Sequence, residues 1–298
     1  MDTSYESRNE HYRFRVNVYQ QHGGVNVVFR VIADEIFPFE KLALPDSVLE
    51  FTEYESGLVL IAGPSASGKS TTLTTLIDHI NREHAQHIIT LEDPIEFVHS
   101  KERLALVNQR EIGTHARDYL TALRGVLRED PDVILVGELR DKETIGFAVT
   151  AAETGHLVFG TLHTISAAAT IDRILDAFPA HQQPQIRVMI AESLRGVLCQ
   201  QLLPRADGEG RVLAVELMLN NHAIANMIRN GKTHQIPGSI TTSYELGMRL
   251  MDREMLGLAS KGVIAPEEAY AKATDKKLFA HFFEEEGEGD GVPSAPGS

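Results

Sequence analysis

Eight consecutive residues, Gly63-Pro64-Ser65-Ala66-Ser67-Gly68-Lys69-Ser70, have the spelling of a phosphate-binding loop. Glycines let such a backbone close around phosphates with its N–H groups inward, and the helix start that follows at Thr71 adds positive potential. Lys69 would reach the outer phosphates of a nucleoside triphosphate and Ser70 would ligate magnesium. Binding alone is not hydrolysis. Turnover also needs groups that hold a metal or orient water, and in open parallel sheets these gather at the carboxyl ends of strands. Two apolar runs end in an acid: residues 88–91 lead into Glu92-Asp93-Pro94, and Val133-Ile134-Leu135-Val136-Gly137 leads into Glu138. Either glutamate suits Mg2+, directly or through water, or the role of base toward an attacking water. Two histidines flank the next strand run, His156 before it and His163 after it. A histidine at that strand's end can hydrogen-bond the terminal phosphate or the neighbouring acid, and so report whether the phosphate is present.

These groups must be held by a scaffold, and the pattern from residue 57 onward supplies one. Strand runs at 58–62, 88–91, 133–136 and 157–161 alternate with helical patterns at 71–84, 119–127, 144–152 and 168–178. That alternation predicts an α/β fold with a mainly parallel sheet flanked by helices on both faces. Residues 184–280 read as mostly helical around one hairpin, 197–203 with 211–219. Met248, Met251, Met255 and Leu258 fall at helical spacing and read as core packing rather than a cofactor site.

Upstream, residues 12–32 alternate in the strand manner around Gly23-Gly24, which predicts a hairpin with a short glycine turn. Two strands alone are marginal in water, so the pair must rest on something else, and the residues before it offer no obvious partner. Residues 33–56 contain Pro38 and Pro45 and suit a connection to a new domain. At the other end Glu284, Glu285, Glu286, Glu288 and Asp290 sit in a Gly/Pro/Ser-rich stretch that reads as a disordered acidic tail.

Composition narrows the classes. The chain of 298 residues carries 28 Lys plus Arg against 42 Asp plus Glu, a net charge of -14, the wrong sign for a surface that tracks nucleic-acid phosphates. A DNA-dependent ATPase would also want aromatic stacking platforms, and there is no tryptophan. The single cysteine, Cys199, excludes an internal disulfide framework and any zinc site built on several cysteines, and fits a reducing compartment. No run approaches the roughly 18 uncharged apolar residues of a membrane span, and the first ten residues are unlike a signal peptide.

With these residues placed, the chain resembles the secretion ATPases. Residues 63–72, 89–99, 127–141 and 151–164 look like the Walker A, Asp, Walker B and His boxes of that family, in family order, within a likeness running from about residue 12 to 279. The spellings Leu127-Arg128-Glu129-Asp130-Pro131-Asp132-Val133-Ile134-Leu135-Val136-Gly137-Glu138-Leu139-Arg140-Asp141 and Gly155-His156-Leu157-Val158-Phe159-Gly160-Thr161-Leu162-His163-Thr164 are close to the branch that drives type IV pilus retraction. The resemblance implies a RecA-like ATPase domain at 57–283 with a helical C-terminal part, a linker at 35–56, and at 1–34 the last hairpin of a truncated N-terminal PAS-like domain, with 284–298 as the tail. It implies ATP and Mg2+ as cofactors. Lys69, Ser70 and the rest of the loop through Thr71 would hold the nucleotide. Glu92 and Glu138 would serve metal, water or proton transfer, His156 and His163 nucleotide sensing, and Arg15 and Arg30 would approach the phosphates from the amino-terminal hairpin.

The resemblance further implies a homo-hexameric ring in the cytoplasm, peripheral at the inner membrane through a pilus platform protein, with a paralogous retraction ATPase as a further candidate partner and no nucleic acid. Which glutamate is the base stays open. Two other readings stand beside this one: a low-turnover auxiliary paralogue of the motor, and a type II secretion or pilus extension ATPase, a branch that usually carries a four-cysteine insertion this chain lacks. Two departures bear on them. Ala66 stands where the family loop has glycine, which costs little unless the position needs positive φ. Ala225 and Asn230 replace an arginine and a glutamate in a stretch, 223–230, that marks the retraction branch.

Overall fold

The computed structural model describes residues 2–7, 13–32 and 36–283. The expected acidic tail at 284–298 lies outside them. At the amino-terminal end β1 (Asp2–Glu6), β2 (Arg13–Gln21) and β3 (Gly24–Ile32) form an antiparallel sheet in that order. The anticipated hairpin is therefore the β2–β3 pair, and its missing support is a third strand that carries no apolar periodicity and so leaves no pattern to read. Phe14 joins the three strands, its ring 6.4 Å from Tyr5 and 5.9 Å, edge-on, from Phe29.

The body that follows is built on β4 (Gly57–Ala62), β5 (His87–Glu92), β6 (Leu106–Glu111), β7 (Val133–Val136), β8 (Leu157–Leu162), β9 (Leu194–Pro204) and β10 (Arg211–Leu219). Their order across the sheet is β10-β9-β4-β8-β7-β5-β6, parallel throughout except for β10, which runs antiparallel to β9. The fold is thus the α/β, mainly parallel sheet that the sequence pattern demands. Strands β4, β7 and β8 are buried along their whole length because helices cover both faces, which is why they read as unbroken apolar runs.

The helices are α1 (Lys69–Glu83), α2 (Tyr119–Val126), α3 (Lys142–Glu153), α4 (Ala167–Asp176), α5 (Gln183–Ser193), α6 (His222–Arg229), α7 (Ile236–Thr242), α8 (Met251–Ser260) and α9 (Pro266–Lys272). Successive side chains of β4 divide the interior in two. Leu58, Leu60 and Ala62 point into a core shared with α3, α4, α5 and the C-terminal helices, while Val59 and Ile61 face α1 and the short helical segment Asp46–Thr52. Val48 and Phe51 of that segment are fully buried there. Met248, Met251 and Met255 belong to the first core, as their spacing predicts.

Caps show why the helices begin where they do. Asp141 accepts from the Thr144 N–H and Thr144 Oγ1 returns toward the Asp141 backbone, a capping box that opens α3 three residues past Glu138. Asp118 and Ser166 cap α2 and α4 in the simpler way. Each cap therefore ends a loop that starts at a strand tip.

Candidate functional site

Strands β4, β8, β7 and β5 are consecutive neighbours and parallel, so their carboxyl ends lie side by side. The segment after β4 is the loop 63–70, the residue after β8 is His163, Glu138 stands two residues beyond β7, and Glu92 ends β5. A cleft of about 580 Å³ runs across these tips, lined by Ser65 through Thr71 of the loop and by Glu92, Glu138 and His163. Arg15 and Arg30 reach it from the amino-terminal sheet, where they are directly paired across β2 and β3. A volume of several hundred Å³ suits a small ligand the size of a nucleotide.

The loop's backbone explains its sequence. Gly63 has φ 144° and no room for a side chain, since a Cβ there would stand 2.3 Å from the Gln200 carbonyl oxygen and 2.6 Å from Ser67 Oγ. Gly68, at φ 93°, turns the chain into α1. Ala66 also takes a left-handed conformation, φ 62°, so the condition under which alanine becomes costly holds here, at roughly 1–2 kcal/mol. Gly63 and Pro64 form the loop's base, and their carbonyls accept hydrogen bonds from Lys69 Nζ at 2.8 and 2.9 Å. Burial holds the Lys69 ammonium below its ordinary range, against the opposing pull of Glu138. Ser67 Oγ is buried with no hydrogen-bond partner, a free polar group inside the loop.

The two glutamates sit in contrasting fields. Burial pushes the Glu92 carboxyl up, and hydrogen bonds from Thr90 Oγ1 at 2.6 Å and Gln109 Nε2 at 3.1 Å only partly offset it. Burial acts the same way on Glu138, but the Arg140 guanidinium, 2.7 Å from its Oε2, and the His163 imidazole, with Nε2 3.4 Å from its Oε1, outweigh it and hold the group low. One carboxyl is thus drawn toward the neutral form and its neighbour toward the charged one.

The amino-terminal sheet is hooked to this site through the loop after β5. Arg13 Nε donates to the Ile95 carbonyl at 3.2 Å, Arg13 lies 3.9 Å from Glu111, and Arg15 pairs with Glu96 at 3.5 Å. His156 is set apart from the cluster. It precedes β8, so the six-residue strand, roughly 20 Å at about 3.3 Å per residue, separates it from His163, and its ring nitrogen meets the Ala151 carbonyl at 3.0 Å. The altered stretch around Ala225 and Asn230 forms α6, packed against α5, and does not line the cleft.

Sequence reasoning gave no role to Arg140, Gln109 or Tyr119, all of which the fold brings to the site. Arg140 was findable, since it stands two residues past Glu138 inside the same box. Tyr119 lines the cleft at the start of α2, and burial together with Asp93 raises its hydroxyl so that it stays neutral. Gln109 lies on the outer strand β6 with no motif to mark it, yet its amide bridges Glu92 and the Phe97 carbonyl.

The donors present fit a magnesium nucleotide. Ser70 and Glu138 offer hard oxygen ligands in the cleft lining, the kind Mg2+ prefers, and Lys69, Arg15, Arg30 and Arg140 line the same cleft. The model of the Type II/IV secretion system protein family matches residues 3–275. A twitching motility protein of Neisseria gonorrhoeae is 48% identical over 93% of this chain and 74% of its own length. The type IV pilus retraction ATPase PilT of Pseudomonas aeruginosa is 49% identical over 88% of this chain and 75% of its own length. A crystal structure of the pilus retraction motor PilT with bound ADP superposes with a TM-score of 0.86 at 47% identity, covering 93% of this chain and 78% of that one.

Proposed function

This chain belongs to the type II/IV secretion system protein family, and we propose that it works as the ATP-hydrolysing motor subunit of type IV pilus retraction. The observation that carries the reading is the convergence of a phosphate loop, Glu92, Glu138 and His163 on one cleft that arginines of a separate sheet also enter. In it the loop's N–H groups and the start of α1 grip the α- and β-phosphates, and Lys69 draws on the outer ones. Mg2+, held by Ser70 and by Glu138 or a water on it, would neutralise phosphate charge.

The division of labour between the acids follows from their fields. Glu138, kept ionised by Arg140 and His163, orients the attacking water, and His163 senses the γ-phosphate through the same carboxylate. Glu92, whose carboxyl burial raises above its ordinary range, takes the proton. Arg15 and Arg30 complete the site by offsetting charge on the transferred group, so that ATP favours closure of the amino-terminal sheet onto the body and its loss releases it. We read residues 1–34 as part of a PAS-like domain and 57–283 as the RecA-like domain across which this closure occurs. Six copies in a ring at the cytoplasmic side of the inner membrane, against a platform protein, would turn the closures into pilus movement.

The test is functional replacement. In a bacterium lacking its retraction ATPase, this chain should restore twitching, and Lys69→Ala should not. Restoration by both forms would remove the motor reading.

A further inference from the structure

The structure assigns Glu216 a positioning role: we propose that its carboxylate ties the loop carrying His163 to the start of α8, so that the catalytic loop and the C-terminal helices are set together. The inference rests on the hydrolase reading above. Glu216 lies on β10 opposite Cys199 of β9 and is 6% exposed. A carboxylate that deep needs partners, and it has them on both oxygens. Oε1 accepts the Ala167 N–H at 2.7 Å and Oε2 the Met251 N–H at 3.3 Å. These are the first residues of α4 and α8, so one side chain meets two helix starts, where unpaired N–H groups and the helix dipole favour an anion.

What lies on each side gives the tie its consequence. Ala167 is four residues past His163, and the segment between is fixed by few other contacts: the Thr164 and Thr170 hydroxyls meet at 2.7 Å, Thr170 Oγ1 donates to the Ser166 carbonyl at 2.7 Å, and Ser166 caps α4. On the far side Leu217, next to Glu216, exchanges backbone hydrogen bonds of 2.9 and 3.0 Å with Arg249, just ahead of α8. A shift of the His163 loop therefore loads the same carboxylate on which α8 begins. Glu216 thus stands between the segment that follows His163 and the start of α8.

Two substitutions in the full chain break this tie by different routes. Glu216→Gln keeps the volume and one acceptor oxygen but turns an NH2 group toward a helix amide. Met251→Pro removes the α8 donor at a first-turn position that tolerates proline, after Leu250, whose φ of -96° and ψ of 139° suit a following proline. Met251→Leu controls for lost packing. Both tie-breaking variants should lower kcat for ATP about tenfold or more while KM stays within about twofold of wild type, and Met251→Leu should match wild type. Amide exchange at 252–254 should differ between ADP and a non-hydrolysable ATP analogue in wild type and lose that difference in both variants. Unchanged kcat in both, or an exchange difference that is absent from wild type or survives in the variants, overturns the proposal whatever the melting temperatures do. A wild-type chain that releases no phosphate from ATP would instead sink the hydrolase reading.

Discussion

Glu138 and His163 stand at the tips of adjacent parallel strands, β7 and β8, with the imidazole Nε2 3.4 Å from the carboxylate Oε1. The contact joins two groups of separate sequence boxes in the cleft that the loop also lines. With Arg140 on the other oxygen, the Glu138 carboxyl is held below its ordinary range. Replacing it with Gln keeps the shape and removes the charge. Glu138→Gln and Glu92→Gln should each slow ATP turnover by about 10² or more while leaving nucleotide affinity near wild type, measured by steady-state phosphate release and by equilibrium binding. Loss of binding in either variant would mark that acid as structural.

The loop makes opposite demands at two neighbouring positions. Gly63→Ala drives a methyl group into the Gln200 carbonyl and Ser67, and should abolish nucleotide binding and lower stability by about 1–3 kcal/mol. Ala66→Gly relieves a left-handed alanine but frees the unfolded chain, so stability should rise by about 1 kcal/mol or less, with nucleotide affinity kept or improved. Denaturant unfolding with and without ADP checks both. A clear loss of affinity in Ala66→Gly would mean that the alanine methyl contributes to the cradle.

His99 gives the fold a pH dependence of known sign. Burial lowers its pKa to about 4, against the pull of Asp78, while an unfolded histidine titrates near 6.5. The unfolded chain thus binds a proton that the folded chain refuses between these values. Its contribution is complete above about pH 6.5 and falls as pH drops toward 4, by on the order of 3 kcal/mol in all. His99→Asn should flatten unfolding free energy against pH over that window. The His99 backbone N–H donates to Gln109, which in turn holds Glu92, so a shift of the chain here when the buried ring takes up a proton should loosen the site before the sheet. A slope unchanged by the substitution would contradict this.

Arg15 and Arg30 test whether the amino-terminal sheet takes part in chemistry. Arg15→Ala and Arg30→Ala should each lower kcat more than they raise KM, and an arginine aimed at the transferred phosphoryl group can be worth about 10³ or more in rate. Glu96→Gln removes the Arg15–Glu96 ion pair and should leave kcat near wild type. Unchanged turnover in both arginine variants would place the sheet outside the reaction.

How far sequence alone reaches depends on which force fixes each part. Strands β4, β7 and β8 are legible to within a residue or two because burial on both faces demands unbroken apolar runs. Strand β6, Leu-Val-Asn-Gln-Arg-Glu at the sheet's edge, is only partly buried and lacks such a run, so it escapes notice, as does β1. Glu92, Glu138 and His163 are foreseeable because parallel strands bring their carboxyl ends to one line. The same rule puts His156 at the wrong end of β8, although its box names it together with His163. Backbone strain is not written in composition, so the positive φ of Ala66 appears only in the fold. Long-range polar contacts such as Gln109 to Glu92 and Glu216 to two helix starts depend on which elements become neighbours, which no local pattern encodes.

The central claim is that the loop at 63–70 grips a triphosphate that the surrounding strand tips then cleave, and release of inorganic phosphate from ATP by the purified chain with Mg2+ tests it most directly. The account predicts steady turnover that Lys69→Ala abolishes, with the variant's fold intact by circular dichroism. Phosphate release that persists at the wild-type rate in Lys69→Ala would contradict it.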